Sequence, residues 1–201
     1  SVLSQDCVQI AFLLTALNTL DIMSCDLENS YPNAPCQEKI WFEGGLECCE
    51  DKGKVCVIVH LLYGLKSAGA AFRAALAQVL QDLGYKSSKA DPDVWLRPAV
   101  KVDGFEYYEM VLCYVDDILT IDIDAERIMK EIGDDRFKFK NDKIAEPDTY
   151  LGARLKVRTL NGKSMWTVSS DDYVKAALGN IESQLEGTQW RLPKGKIKTP
   201  L

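Results

Sequence analysis

Two adjacent carboxylates, Asp116 and Asp117, interrupt the apolar, β-rich stretch EYYEMVLCYVDDILTIDID from Glu106 to Asp124. Met110 to Val115 and Ile118 to Ile121 are rich in Val, Ile, Leu and Tyr, which suits strands buried on at least one face. The spacing predicts a β-hairpin with the aspartate pair at its tip. Like charges side by side at the edge of a core repel each other and lose hydration, so something must offset them. A divalent cation is the simplest offset. One or two carboxylates, with water and substrate phosphates completing the shell, describe a usual Mg²⁺ site of phosphoryl transfer. The plainer alternative is an exposed Asp-Asp turn.

A chain of 201 residues with 47% hydrophobic content can bury a core, as one sizeable domain or two small ones. Asn18 and Asp21 end the longest apolar candidate well short of the ~20 residues a membrane span needs, so no membrane partner is expected. The start, SVLSQDCVQI, lacks the basic region of a secretory signal. Seven cysteines are an odd number, and Cys113 lies inside the apolar run, so a reducing, intracellular compartment fits best. Cys48, Cys49, Cys56 and His60 raise a zinc reading, but their spacing matches no familiar ligand pattern. With 24 basic against 30 acidic residues, the net charge of −6 argues against a plain nucleic-acid-binding surface. Acid clusters in Glu43, Glu47, Glu50 and Asp51, whereas Arg154, Lys156, Arg158, Lys163, Arg191, Lys194, Lys196 and Lys198 are locally basic. A polyanion would have to meet that C-terminal third, or metal ions.

Along the chain, Ser4 and Asp6 predict a helix start, with Val8, Phe12, Leu13, Leu17 and Leu20 at helical spacing toward a core. Asp21 to Asp26 predicts a strand that ends in a carboxylate before the turn-prone Asn29, Ser30, Pro32 and Asn33. Residues 34 to 66 read as an irregular excursion with a short β-branched run from Val55 to His60. A small-residue turn, Gly64 to Gly69, feeds a helix whose stripe is Phe72, Leu76, Val79, Leu80 and Leu83 and whose stop is Gly84. Val94 to Val102 and Phe105 to Val115 predict strands joined through Asp103-Gly104. Asp124 caps a short helix through Ile132, stopped by Gly133. Tyr150 to Val157 reads as a strand that turns through Asn161-Gly162, and Ser169 or Ser170 opens a last helix through Leu178. An antiparallel sheet backed by helices is the natural solution for this order, an α+β fold. If the strand ending at Asp26 lies beside the hairpin, three carboxylates meet and can hold two metal ions about 4 Å apart.

DLENSYPNAP from Asp26 to Pro35, LLYGLKSAGAAFR from Leu61 to Arg73, ADPDVW from Ala90 to Trp95, and Tyr114-Val115-Asp116-Asp117 together resemble the reverse transcriptase of copia-type long-terminal-repeat retrotransposons. The resemblance covers nearly the whole chain. It implies a right-hand polymerase: residues 1–30 as the first part of the palm, 31–66 as partial fingers, 67–149 as the rest of the palm, and 150–201 as a primer-grip-like strand and the start of the thumb or connection. The implied reaction is RNA-directed DNA synthesis by nucleotidyl transfer to a primer 3′-hydroxyl under two Mg²⁺ ions, with Mn²⁺ as a substitute. Asp26, Asp116 and Asp117 match the family's metal-binding carboxylates, and the backbone of Leu27 matches a contact to metal and triphosphate. Tyr31 matches the aromatic beneath the sugar that excludes a 2′-hydroxyl. Tyr63, Gly64 and Lys66 match the turn bordering nucleotide and template. Lys140 matches a lysine proposed as general acid for pyrophosphate, and Tyr150-Leu151-Gly152 resembles the primer grip. The family frame gives Asp122 no role.

The partners so implied are an RNA or DNA template-primer, deoxynucleoside triphosphates and the rest of a polyprotein, including the upstream fingers and RNase H. The implied setting is cytoplasmic, in a retroelement particle, with the nucleus as a further site. Because the chain opens at the helix before Asp26, the upstream fingers are expected to be missing and the chain alone to be a weak polymerase. Pro32 departs from the Leu common in the family. Two other functions compete: a catalytically weak or repurposed palm-fold remnant acting as a nucleic-acid-binding or scaffold protein, and a nucleotide cyclase using paired carboxylates without a template.

Overall fold

Strands form where β-branched and aromatic residues alternate between two buried faces. The computed structural model describes residues 3–28, 31–32, 34–36, 38–135, 137–140, 144–160 and 162–192. They divide into two units, residues 1–146 and 147–201.

The first unit is built on a five-stranded antiparallel sheet. Its strands are β1 (Asp21–Asp26), β4 (Lys86–Ser87), β5 (Val94–Val100), β6 (Glu106–Tyr114) and β7 (Asp117–Asp122), in the order β1-β7-β6-β5-β4. A separate ribbon pairs β2 (Trp41–Glu43) with β3 (Val55–Val57). The register aligns Cys25, Ile118 and Cys113 on one sheet face and Ser24, Leu119 and Leu112 on the other. Helices α2 (Ala68–Asp82) and α3 (Ala125–Asp135) close the first face, burying Phe72, Leu76, Val79, Leu80, Ile128, Met129 and Ile132 in a core shared with Cys25, Cys113 and Ile118. The other face is buried too, through Ile22, Leu112, Leu119 and Ile121. The expected stripe of α2 is therefore the observed one, and Gly84 adopts φ 88° just past the helix, a left-handed conformation that favours glycine. Among the described residues, no helix is long and apolar enough to cross a membrane.

Helix α1 (Gln5–Asn18) starts where expected, with the Ser4 hydroxyl accepting from the Cys7 N–H. Its inner face differs from the expectation. Val8, Ala11, Phe12 and Thr15 are buried, whereas Leu13 and Leu17 are 58% and 69% exposed. The helix is apolar nearly all round, so the leucines did not mark the core side; small Ala11 and self-capped Thr15, whose hydroxyl donates to the Ala11 carbonyl, do.

Three further expectations are corrected. Asp124 does cap α3, its carboxylate accepting from the Arg127 N–H, but the helix runs through Gly133 to Asp135. Gly133 is there for space: a Cβ on it would lie 2.6 Å from the Phe139 ring. The strand expected from Tyr150 to Val157 is split by a two-residue turn, with Leu151 at φ 49° and Gly152 at φ 76°. β8 (Thr149–Tyr150) and β9 (Ala153–Leu160) flank it, β10 (Lys163–Ser169) adds a third antiparallel strand, and α4 (Asp171–Leu185) follows. This second unit holds an ion pair of 2.6 Å between Arg154 and Asp172. α4 continues past Leu178, the expected end. Asn29, Ser30, Asn33, Asn161 and the tail from Lys194 lie outside the described residues.

Candidate active site

The antiparallel register of β1 and β7 sets Asp26 directly opposite Asp117, and β6 sets Tyr114 opposite Asp117 from the other side. Val115 and Asp116 form the turn between them. Directly opposed residues on one sheet face have Cβ atoms about 5 Å apart, so the two carboxylates confront each other. Val115 holds φ 56°, a left-handed conformation that a β-branched residue rarely adopts. Such strain persists only where the surroundings fix it. Here the Leu27 N–H donates to the Asp116 carbonyl at 2.9 Å, tying the hairpin tip to the chain just past β1.

Charge in this corner is unbalanced. Burial, then the neighbouring Asp116 and Asp26, push the Asp117 carboxyl above its ordinary range, while Lys140 pulls it back. The Lys140 ammonium lies 2.8 Å from the Asp26 carboxylate. It is delivered by backbone pairing: Leu27 bridges Phe139, and the Glu28 N–H donates to the Lys138 carbonyl at 2.8 Å. The hydrogen bond and charge of Asp26 raise the Lys140 ammonium above the usual lysine range. Residues from three separate stretches of chain, Asp26 and Leu27, Asp116 and Asp117, and Lys140, thus lie together.

Beside them, Tyr31 and Tyr63 meet edge to face with ring centroids 4.8 Å apart, and Tyr31 lies 5.8 Å from the Phe72 ring. Gly64 turns the chain at φ 94°, and a Cβ there would meet nothing. Lys66 is exposed and joins no ion pair among the described residues. A cavity of about 380 Å³ opens between the hairpin tip and α2, lined by Tyr31, Gly69, Phe72, Arg73, Tyr114 and Val115. Its polar edge was not foreseen. The Arg73 guanidinium holds Asp93 at 2.5 Å, and the Asp93 carbonyl accepts from the Cys113 N–H at 2.9 Å, which ties α2 to the hairpin just below its tip. Both residues lie in stretches singled out by sequence, but neither had a stated role. Tyr150, Leu151 and Gly152 form the β8–β9 turn of the second unit.

Asp122 belongs to a different cluster. Its carboxylate is 1% exposed, accepts from the Tyr107 hydroxyl at 2.5 Å and pairs with Arg127 at 2.9 Å. Arg127 and Arg97 also hold Glu109, each at 2.6 Å. The residue without a family role is therefore a buried structural anion.

Among the described residues, no group of three or more His, Cys, Asp or Glu side chains is arranged to hold a metal ion. That applies to the three aspartates and to Cys48, Cys49, Cys56 and His60, and all seven cysteines are free thiols. Like-charge repulsion opposes convergence of the aspartates, and the cation beside them is an ammonium. Their donor chemistry nonetheless fits a hard divalent ion: oxygen ligands only, two carboxylates in direct register, and a carboxyl destabilised as an anion by its neighbours.

No curated protein matches the chain. Residues 1–188 match the family model described as reverse transcriptase (RNA-dependent DNA polymerase). A match over that much of the sequence places the chain in the reverse transcriptase family.

Proposed function

We propose that this chain is the RNA-directed DNA polymerase domain of a copia-type retrotransposon polyprotein, with residues 1–30 and 67–146 serving as its palm and the intervening stretch, with the β2–β3 ribbon, as a part of the fingers. The register of Asp26 against Asp117 beside Asp116 carries the reading, because a metal-dependent nucleotidyl transfer needs converging hard ligands and a plain Asp-Asp turn does not. The copia-type assignment rests on the order of the four sequence stretches and on family membership.

Asp26, Asp116 and Asp117, with the Leu27 backbone, would hold Mg²⁺, which when bound lowers the pKa of the primer hydroxyl and neutralises charge on the leaving pyrophosphate. The chain's own side chains then divide the remaining work. Tyr31, backed by Tyr63 and Phe72, presents a fixed aromatic wall on which a deoxyribose rests and against which a 2′-hydroxyl clashes. Gly64 lets the Tyr63 turn approach a nucleotide closely, and exposed Lys66 offers a cation to phosphate. Lys140 carries a proton next to the carboxylates and can deliver it to a phosphate oxygen.

Primer extension on a poly(rA) template primed with oligo(dT), in Mg²⁺, tests the reading. Asp116→Asn should lose extension by a factor of about 100 or more, since it removes a ligand used in the transition state. Asp21→Asn, exposed on the same sheet, should extend normally. Wild-type rates in Asp116→Asn would remove the site assignment, and a template-independent product would favour a cyclase.

A further inference from the structure

We propose that Lys140 is the resident counter-ion of the aspartate cluster, and that a divalent cation binding at Asp26 must displace its ammonium. The inference rests on the metal-binding reading above and adds a competitor for the same carboxylate. Asp117 feels Asp116 and Asp26 as like charges and Lys140 as the opposing one, so the ammonium does in this state what a metal ion would do in another. It bonds Asp26 Oδ2 at 2.8 Å, so a metal ion drawn to the same carboxylate meets an ammonium already in place.

The geometry also permits the exchange. The Lys140 side chain is 61% exposed and that of Asp26 37%, so the ammonium can swing into water without leaving a buried charge behind. The backbone need not follow, because the Leu27–Phe139 bridge and the Glu28–Lys138 hydrogen bond hold this segment independently of the Lys140 side chain. Once displaced, the ammonium stays tethered beside the cluster, near enough to meet the anion that accompanies the metal.

Mn²⁺ titration of the full chain, followed by loss of the free aqueous Mn²⁺ resonance, tests the exchange apart from catalysis. Lys140→Met should bind Mn²⁺ about three- to fivefold more tightly than wild type, the range expected for removing one exposed ion pair from competition. Lys140→Arg should stay near wild type. Lys138→Met deletes the same charge from the same segment without a bond to Asp26, and should change affinity by less than about twofold. A structural role for Lys140 predicts weaker Mn²⁺ binding or none, not tighter. Unchanged or weaker affinity in Lys140→Met, with binding abolished by Asp116→Asn, overturns the proposal alone. Equal tightening in Lys138→Met also overturns it, in favour of a diffuse field. Failure of wild type and Lys140→Met alike to bind Mn²⁺ overturns it together with the metal-binding reading.

Discussion

Asp91, outside the site, ties together stretches of the first unit that are far apart in sequence. It is 5% exposed, and its two carboxylate oxygens accept the Ser4 N–H at 2.8 Å and the Asp93 N–H at 3.0 Å. One side chain therefore anchors the start of α1 and shapes the turn that puts Asp93 against Arg73. Burial alone would raise its carboxyl, but the hydrogen bonds from Ser4 and Asp93 outweigh burial and hold it below the ordinary carboxylate range. A lowered folded-state value contributes stability above the unfolded value near pH 4, and that contribution is lost as pH falls toward the folded value. Asp91→Asn should thus cost about 1–2 kcal/mol at pH 7, with the gap to wild type closing below about pH 4. Urea melts at pH 7 and pH 3 check this; a gap that widens in acid would contradict it. Asp116 and Asp117 were legible in the sequence because their anomaly is local, two charges in one apolar run. Asp91 and Asp122 were not, since the Asp91 partner lies 87 residues away and the Asp122 ion pairs depend on how α3 packs on β6 and β7. Along a sequence, a structural anion and a catalytic one look alike.

At the scale of elements, periodicity located helices and strands but not what their small residues are for. Gly133 reads as a stop and proves to be a seat for Phe139, whose backbone bridges Leu27 and precedes Lys140. In an exposed helix interior, Gly→Ala stabilises by up to about 1 kcal/mol. Here the sign reverses. The new Cβ would sit 2.6 Å and 2.8 Å from two ring carbons, so the ring must shift, and overpacking of that kind costs about 1–3 kcal/mol. Gly133→Ala should lower the unfolding midpoint, as read by thermal melts, and a midpoint raised by the substitution would return the residue to a plain helix stop. The β8–β9 turn was hidden for a related reason. Leu151 takes φ 49°, a conformation that its residue type gives no cause to expect, and only the following Gly152 signalled a turn.

Over the whole molecule, the two units differ in how much they bury. Residues 1–146 close a sheet between packed faces, and their last described stretch is sewn in by reciprocal backbone hydrogen bonds between Ser24 and Ala145 at 2.8 and 3.2 Å. In residues 147–201, the described apolar side chains that become buried are Pro147, Tyr150 and Leu155, and α4 buries none of its residues. At roughly 1.5–3 kcal/mol per fully buried side chain, three such residues cannot offset the ordering of three strands and a helix, which costs about 1–2 kcal/mol per residue in backbone entropy alone. The second unit should therefore be the less stable one. Calorimetry of the full chain should show two transitions, the lower belonging to residues 147–201. A chain ending after Glu146 should lose the lower transition and keep the upper within a few degrees. Ending it after Lys140 should lower the upper transition as well, because the Ser24–Ala145 hydrogen bonds go with the deleted residues. A single transition that disappears when the second unit is removed would mean that the unit is part of one cooperative fold, and that its few buried residues understate what holds it.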